Sequence, residues 1–361
     1  MTRINQPGDP LKGRGASANP PNRFEKTSRE AVVPDGAEWE EMAAPATRLI
    51  PDHSRSVISR QDSPDVGFEA SLNPYRGCEH GCAYCYARPT HEYLGFSSGL
   101  DFETQIMVKV DAPALLRKEL SSKKWEPKTV ALSGVTDPYQ PVEKKLEITR
   151  RCLEVLAEFG NPVVIITKNR LVARDRDILV KLASMEAAAV YISITTLDRD
   201  LCGVLEPRTS RPEKKLQVLS ELSSAGIPAG VMVAPVIPGL TDSEIPAIVR
   251  AAAEAGAKYA EVIPLRLPLT VAPLFEAWLE THFPDRKEKV LNRIRAIRGG
   301  KLNDPRFGHR MRGSGAFAEQ IRDLFQLACK KAGIQTCGPE LSISHFRYDL
   351  QTPESPQLKL F

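Results

Sequence analysis

Short apolar runs alternate with longer stretches in which apolar residues recur every three or four positions, and this alternation holds from about residue 66 to residue 265. The runs at 70–73, 105–110, 129–133, 162–167, 189–195, 229–235 and 259–265 are rich in Val, Ile, Leu and Ala and predict strands. The stretches at 146–159, 174–184, 212–225 and 243–255 are amphipathic and predict helices, with Gly160, Gly226 and Gly256 placed as C-terminal caps. Strands that alternate with helices pair in parallel through crossover connections, so residues 66–270 predict an α/β domain.

The flanks break this pattern. Residues 1–65 hold eight of the 29 prolines and no sustained periodicity, which predicts an irregular N-terminal arm; Trp39, Leu49, Ile50, Val57 and Ile58 are apolar enough to dock on the domain. Residues 271–334 predict a helical C-terminal extension, with apolar spacing at Leu274, Trp278, Val290, Ile294 and Ile297. Residues 335–361 are polar and punctuated by proline, and predict a loose tail.

Composition narrows the class. With 361 residues and 42% hydrophobic content, the chain can bury a large core in one domain with extensions. No apolar run approaches the roughly 18 residues that cross a bilayer, so no membrane partner is expected. The chain opens without a charged-then-apolar leader, which predicts a cytoplasmic, reducing location. Seven cysteines, an odd number, suit free thiols there better than a disulfide framework. The net charge of +4 is unevenly spread: residues 286–312 hold ten Lys and Arg against Glu288 and Asp304, on an otherwise mildly acidic chain.

Cys78, Cys82 and Cys85 stand in one short run with C-x3-C-x2-C spacing. Three thiolates are one short of a closed four-ligand site, so the group they hold keeps a position open for chemistry. Cys152, Cys202, Cys329 and Cys337 are scattered singly and supply no second knuckle, although His80 and His91 are near enough in sequence to complete a zinc site. The fourth cysteine followed by proline of a bacterial ferredoxin run is missing.

With an aromatic residue, Tyr84, just before the third cysteine, the run resembles the signature of the radical S-adenosylmethionine (radical SAM) superfamily. The resemblance implies a partial (β/α)6 barrel with the cysteine loop after its first strand. It also implies a [4Fe–4S] cluster on Cys78, Cys82 and Cys85, SAM chelated to the fourth iron, and an external electron donor of flavodoxin or ferredoxin type. Reductive cleavage of SAM then gives a 5'-deoxyadenosyl radical that abstracts hydrogen from a substrate.

Polar motifs follow the predicted strands, where functional groups of parallel barrels gather. They are Thr136-Asp137-Pro138, Thr167-Lys168-Asn169, Ser193-Ile194-Thr195-Thr196 and Glu206-Pro207-Arg208. Thr136 and Asp137 are candidates to accept from the SAM amine, and Lys168, Ser193 and Arg208 to neutralise its carboxylate, with Tyr84 beside the cofactor. Each also has a plainer reading: Asp137 as a turn former, Lys168 and Arg208 as surface cations, Ser193 as a core hydroxyl. Asp242 reads as a helix N-cap. In their order the motifs resemble the spore photoproduct lyase-like branch of the superfamily. That enzyme's hydrogen-donating cysteine has no counterpart in Gly134-Val135-Thr136-Asp137, so thymine-dimer lyase activity is not expected. His91 and Tyr139 are candidate substrate contacts.

Two further features suggest nucleic acid. Arg306, Arg310 and Arg312 interleave with Phe307, Met311 and glycines, a composition that can track phosphates and stack a base, lid the barrel over a small anion, or form a solvated face. Gln357, Leu358, Leu360 and Phe361 at the C-terminus resemble the pentapeptide by which bacterial polymerases and repair proteins dock on the replication sliding clamp. Three functions therefore stay open: radical chemistry on nucleic acid such as damaged DNA, radical modification of a small molecule or peptide, and a zinc-stabilised nucleic-acid-binding module without catalysis.

Overall fold

Ten strands form where short apolar runs recur, in a computed structural model that describes residues 11–25 and 46–351 of the chain. They are β1 (Arg48–Pro51), β2 (Ile58–Arg60), β3 (Ala70–Leu72), β4 (Tyr75–Arg76), β5 (Gln105–Val108), β6 (Val130–Leu132), β7 (Val163–Thr167), β8 (Ala188–Ser193), β9 (Ala229–Val236) and β10 (Tyr259–Pro264). The main sheet runs in the order β10-β9-β8-β7-β6-β3-β2. β3 and β6 through β10 pair in parallel, and β2 closes the edge antiparallel to β3. Six parallel strands with helices between them bear out the α/β alternation and make the partial barrel that the resemblance implies.

Strand periodicity explains how the barrel is filled. Val163, Ile165, Val190 and Ile192 join helices Ile148–Phe159 and Arg176–Ala183 in the main apolar core. The alternate set, Val164, Ile166, Tyr191 and Ser193, belongs to the opposite, concave face. The predicted strand at 105–110 forms as β5 but lies outside the barrel, in a small sheet of order β1-β5-β4. Four residues flanked by two other short strands carry no signal of which sheet they join.

The flanks are better packed than their composition suggests. In the arm, Ala16 is buried, Val57 is buried in the core, and β1 and β2 each add an edge strand; Trp39 lies outside the described residues. The extension is not continuous helix: Val271–His282, Pro284–Ile297 and Ala316–Ala332 are separated by an irregular segment, 298–315. Glycines 299, 300, 308, 313 and 315 there all take positive φ, which a helix forbids. Asp242 does not cap a helix by its side chain; it lies in the turn Asp242–Glu244 and pairs with Arg293 at 3.2 Å.

Residues 335–351, expected to be loose, form a strap under the barrel. Gln335 bridges to Tyr259 at the start of β10, and Ser342 N donates to Glu186 O just before β8. Phe346 packs on Phe159 before β7, and Gln351 Nε2 donates to the carbonyls of Ser122 and Trp125 before β6, each at 3.1 Å. The strap thus crosses the N-terminal ends of the strands, away from the cysteine loop. Among the described residues no helix is long and apolar enough to cross a membrane.

Candidate cofactor site

The cysteine run leaves β4 as a tight loop held from both sides. Cys78 N donates to Phe102 O at 2.8 Å, and Ala83 N to Leu205 O at 3.0 Å. The fully buried guanidinium of Arg88 donates to Cys82 O at 2.9 Å and pairs with the equally buried Glu103 at 2.5 Å. Glu103 also accepts from Gly15 N at 3.1 Å and Ala16 N at 2.9 Å, so one carboxylate fastens the arm and the loop together. All three cysteines are free thiols, Cys78 and Cys82 buried and Cys85 half-buried. Burial pushes the Cys82 thiol up and, with Cys78 beside it, the Cys85 thiol to about 11. A bound cationic group reverses that cost.

Above the loop the strand ends build a buried polar chamber around Glu206. Its Oε1 accepts from Thr195 Oγ1 at 2.6 Å, from the Tyr84 hydroxyl, and faces Lys168 Nζ at 3.3 Å. Its Oε2 accepts from Lys215 Nζ at 2.7 Å. Burial alone would favour the neutral acid, but Lys168 and Lys215 hold Glu206 well below the usual carboxylate range. Burial likewise opposes the Lys168 charge, and Glu206 and Cys82 overcome it. Lys168 Nζ also donates to Ala234 O at 3.0 Å and lies 5.7 Å from the centre of the Tyr84 ring.

A second cluster connects Asp137 to the loop. Asp137 accepts from Thr167 Oγ1 at 2.7 Å, Lys168 N at 2.8 Å and Tyr139 N at 2.8 Å, and faces His80 Nδ1 at 3.4 Å. Thr136 Oγ1 donates to Gly77 O at 2.6 Å, beside the first cysteine. Arg208 pairs with Glu79 at 3.2 Å, and the other Glu79 oxygen, Oε2, is buried with no partner. Ser193, buried at the end of β8, shares strand parity with Thr195.

The structure therefore gathers Tyr84, Thr136, Asp137, Lys168, Ser193 and Arg208 around the three cysteines, and gives several of them protein partners. Lys168 and Arg208 are not free cations; each meets a carboxylate, Glu206 and Glu79. Those two acids, with Lys215, Arg88 and Glu103, are the functional groups that sequence reasoning missed. Only Glu206 carried a signal, as the first residue of its Glu-Pro-Arg motif. His91 is fully buried against Phe96 and Phe102, where burial pushes its ring down to about 4, and Tyr139 is fully buried on Asp175. Neither presents a side chain to a substrate. Arg306 pairs with Asp304 at 2.7 Å and Arg310 with Asp65 at 2.5 Å, which leaves Arg312 as the exposed candidate without an ion pair among the described residues. Gln357, Leu358, Leu360 and Phe361 lie outside the described residues.

The donor set fits an iron–sulfur cluster: three free thiols on one loop, at strand ends, facing a chamber of paired charges and hydrogen-bonding groups suited to a polar cofactor. Among the described residues no three His, Cys, Asp or Glu side chains are grouped closely enough to hold one metal ion, so the zinc alternative gains nothing from the geometry.

Comparison with known proteins agrees. The family model for the radical SAM superfamily matches residues 72–252. An uncharacterized protein of Mycobacterium tuberculosis is 39% identical over 220 residues, which cover 60% of this chain and 65% of that relative. The match thus spans somewhat less than two thirds of that relative's length. An uncharacterized protein of Methanocaldococcus jannaschii is 28% identical over 228 residues, 63% of this chain and 81% of the relative. Among solved structures, spore photoproduct lyase complexed with dinucleoside spore photoproduct superposes with a TM-score of 0.57 over 80% of this chain and 81% of that one, at 18% identity, a likeness of fold.

Proposed function

The chain belongs to the radical SAM superfamily, whose cofactors are a [4Fe–4S] cluster and SAM, and on that premise we propose that it is a radical enzyme acting on a substrate that enters at the strand ends. The observation that carries the proposal is the trio of free thiols, Cys78, Cys82 and Cys85, on a loop braced by Arg88 and Glu103 beside the Glu206 chamber. When bound, the two cofactors supply one-electron cleavage of the SAM sulfonium and a carbon radical able to take hydrogen from an unactivated carbon.

The residues have separate tasks. Cys78, Cys82 and Cys85 would hold three irons of the cluster. Arg88 fixes the loop carbonyl between them, and Glu103 holds the arm over its outer side. Lys168 and Arg208 would place positive charge near the SAM carboxylate; Glu206 and Glu79 compensate them, and Glu206 keeps Lys168 charged against the cost of burial. Asp137, His80 and Thr136 lock the loop after β6 onto the cysteine loop. Water is kept from the chamber by the packing of Tyr84 and Leu205. An external one-electron donor completes the reaction.

Nucleic acid is the substrate class we place first. Phe307, 59% exposed, and Arg312 lie on the segment that the buried Arg298 ties to Pro264 O and Leu265 O at the end of β10, which puts that segment beside the barrel mouth. A small molecule or peptide is the alternative. No thiol stands in Gly134-Val135-Thr136-Asp137, so the reaction is not carried over from thymine-dimer lyases.

Anaerobic reconstitution tests the class. About four irons per chain should bind, and SAM with a reductant should release 5'-deoxyadenosine, a product that vanishes in Cys82→Ala. Failure to bind iron, or a single zinc held by the same three cysteines, would sink the proposal.

A further inference from the structure

Tyr86 stands directly after the third cysteine. Its ring is 44% exposed, and its hydroxyl donates to Gly134 O at 2.8 Å, beyond the end of β6. The guanidinium of Arg266, just past the end of β10, lies 4.2 Å from the centre of the Tyr86 ring. In the sheet, β7, β8 and β9 separate β6 from β10. Gly134, Tyr86 and Arg266 therefore draw a chord across the C-terminal mouth of the partial barrel, next to the cysteine loop. A substrate approaching the radical chemistry proposed above meets this chord first.

The charge on the chord is uncommitted. Arg266 forms no ion pair with a carboxylate among the described residues. Asp65, the acid whose titration it influences, already accepts from Gly308 N at 2.6 Å and from Arg310 at 2.5 Å. Behind Arg266 stands a second cation, Arg298, which is 1% exposed and donates only to the backbone carbonyls of Pro264, Leu265, His309 and Arg310. Two neighbouring guanidiniums, whose nearest acids Asp65 and Asp304 are already paired with Arg310 and Arg306, make the mouth electropositive. Attraction to the Tyr86 ring steadies the Arg266 plane and leaves N–H donors for an incoming oxyanion.

We propose that Tyr86 and Arg266 are the specificity-determining clamp of the opening, and that they select a substrate carrying a planar unsaturated ring next to an anionic oxygen group, phosphate or carboxylate. The ring stacks on Tyr86, and the oxyanion takes the Arg266 donors. The clamp rests on the enzymatic reading for its purpose but is measured by binding alone.

The test is calorimetric titration of the reconstituted, SAM-loaded protein, under anaerobic conditions, with uridine 5'-monophosphate, benzoate and uncharged uridine. At least one of the two anions should bind about tenfold or more tightly than uridine, the size expected of a charge-assisted hydrogen bond. Arg266→Gln should erase that preference, Tyr86→Leu should weaken every probe that binds, and Arg295→Gln, on the outer surface of the helical extension, should change nothing. Preference for the nucleotide alone assigns phosphate as the selected group; preference for benzoate alone assigns carboxylate. Either confirms the clamp. Absence of any preference for an anion, or wild-type preference in Arg266→Gln, overturns it. Tyr86 and Arg266 are both partly exposed, so unfolding midpoints equal to wild type should show that the variants are folded. If the protein binds no iron, the enzymatic reading fails, and the same titration on the iron-free protein still decides the clamp.

Discussion

The buried carboxylate of Glu206 meets two lysines, two threonines and a tyrosine at once. Removing its charge leaves Lys168 and Lys215 buried without a counter-ion, and such breaks cost about 3–5 kcal/mol. Glu206→Gln should therefore be strongly destabilised in urea unfolding, and Lys215→Met in the same background should recover part of the loss by removing one orphaned charge. Additive losses in that double-mutant cycle would contradict the network. The sequence shows Glu206 only as a neighbour of Arg208. Its hydroxyl partner Tyr84 is 122 residues away, and no local pattern announces a pairing across that distance. Lys168 was legible as a cation at a strand end for a local reason, because Thr167 closes an apolar run. Its compensation by Glu206 was not. His91 and Tyr139 show the converse: position beside a motif says nothing about burial, and both side chains turn into aromatic or acidic pockets of the core.

The elements themselves were mostly legible, because strand and helix periods are local. Each barrel strand falls within a predicted run, give or take its end residues, and helix Pro212–Ser224 ends where Gly226 required. What failed was attachment. β5 shows the composition of a barrel strand and pairs elsewhere, and the arm reads as irregular although part of it lies against the cysteine loop. The contact is close: a Cβ on Gly15 would fall 1.7 Å from Gly81 O, a clash no rotamer relieves because the obstacle is backbone. Gly15→Val should lift the arm from Glu103 and lower the iron retained when the anaerobically reconstituted protein is exposed to air, whereas Gly67→Ala, with open space around it, should match wild type. Equal iron retention in the two variants would mean that the arm does not protect the cluster loop.

At the scale of the whole molecule, the two ends of the barrel are given different work. The cysteine loop, the Glu206 chamber and the Tyr86 chord occupy the C-terminal ends of the strands, while the strap from 335 to 351 covers the N-terminal ends. Gln351 is anchored to the carbonyls of Ser122 and Trp125, so the described part of the strap ends on the side away from the mouth. That division was invisible in the sequence, where 335–361 reads as one polar stretch; the strap is held by backbone bonds and by Phe346 against Phe159, neither of which leaves a periodic trace. If the tail docks on a replication sliding clamp, deletion of residues 357–361 should abolish binding to the clamp in surface plasmon resonance, and SAM cleavage by the truncated protein should continue at the full-length rate. Substituting Gln351 by Ala should leave clamp affinity unchanged, because Gln351 lies outside the docking peptide. Clamp binding that survives the deletion would place the contact elsewhere on the molecule, and a matching loss of SAM cleavage would show that the tail serves the active site instead.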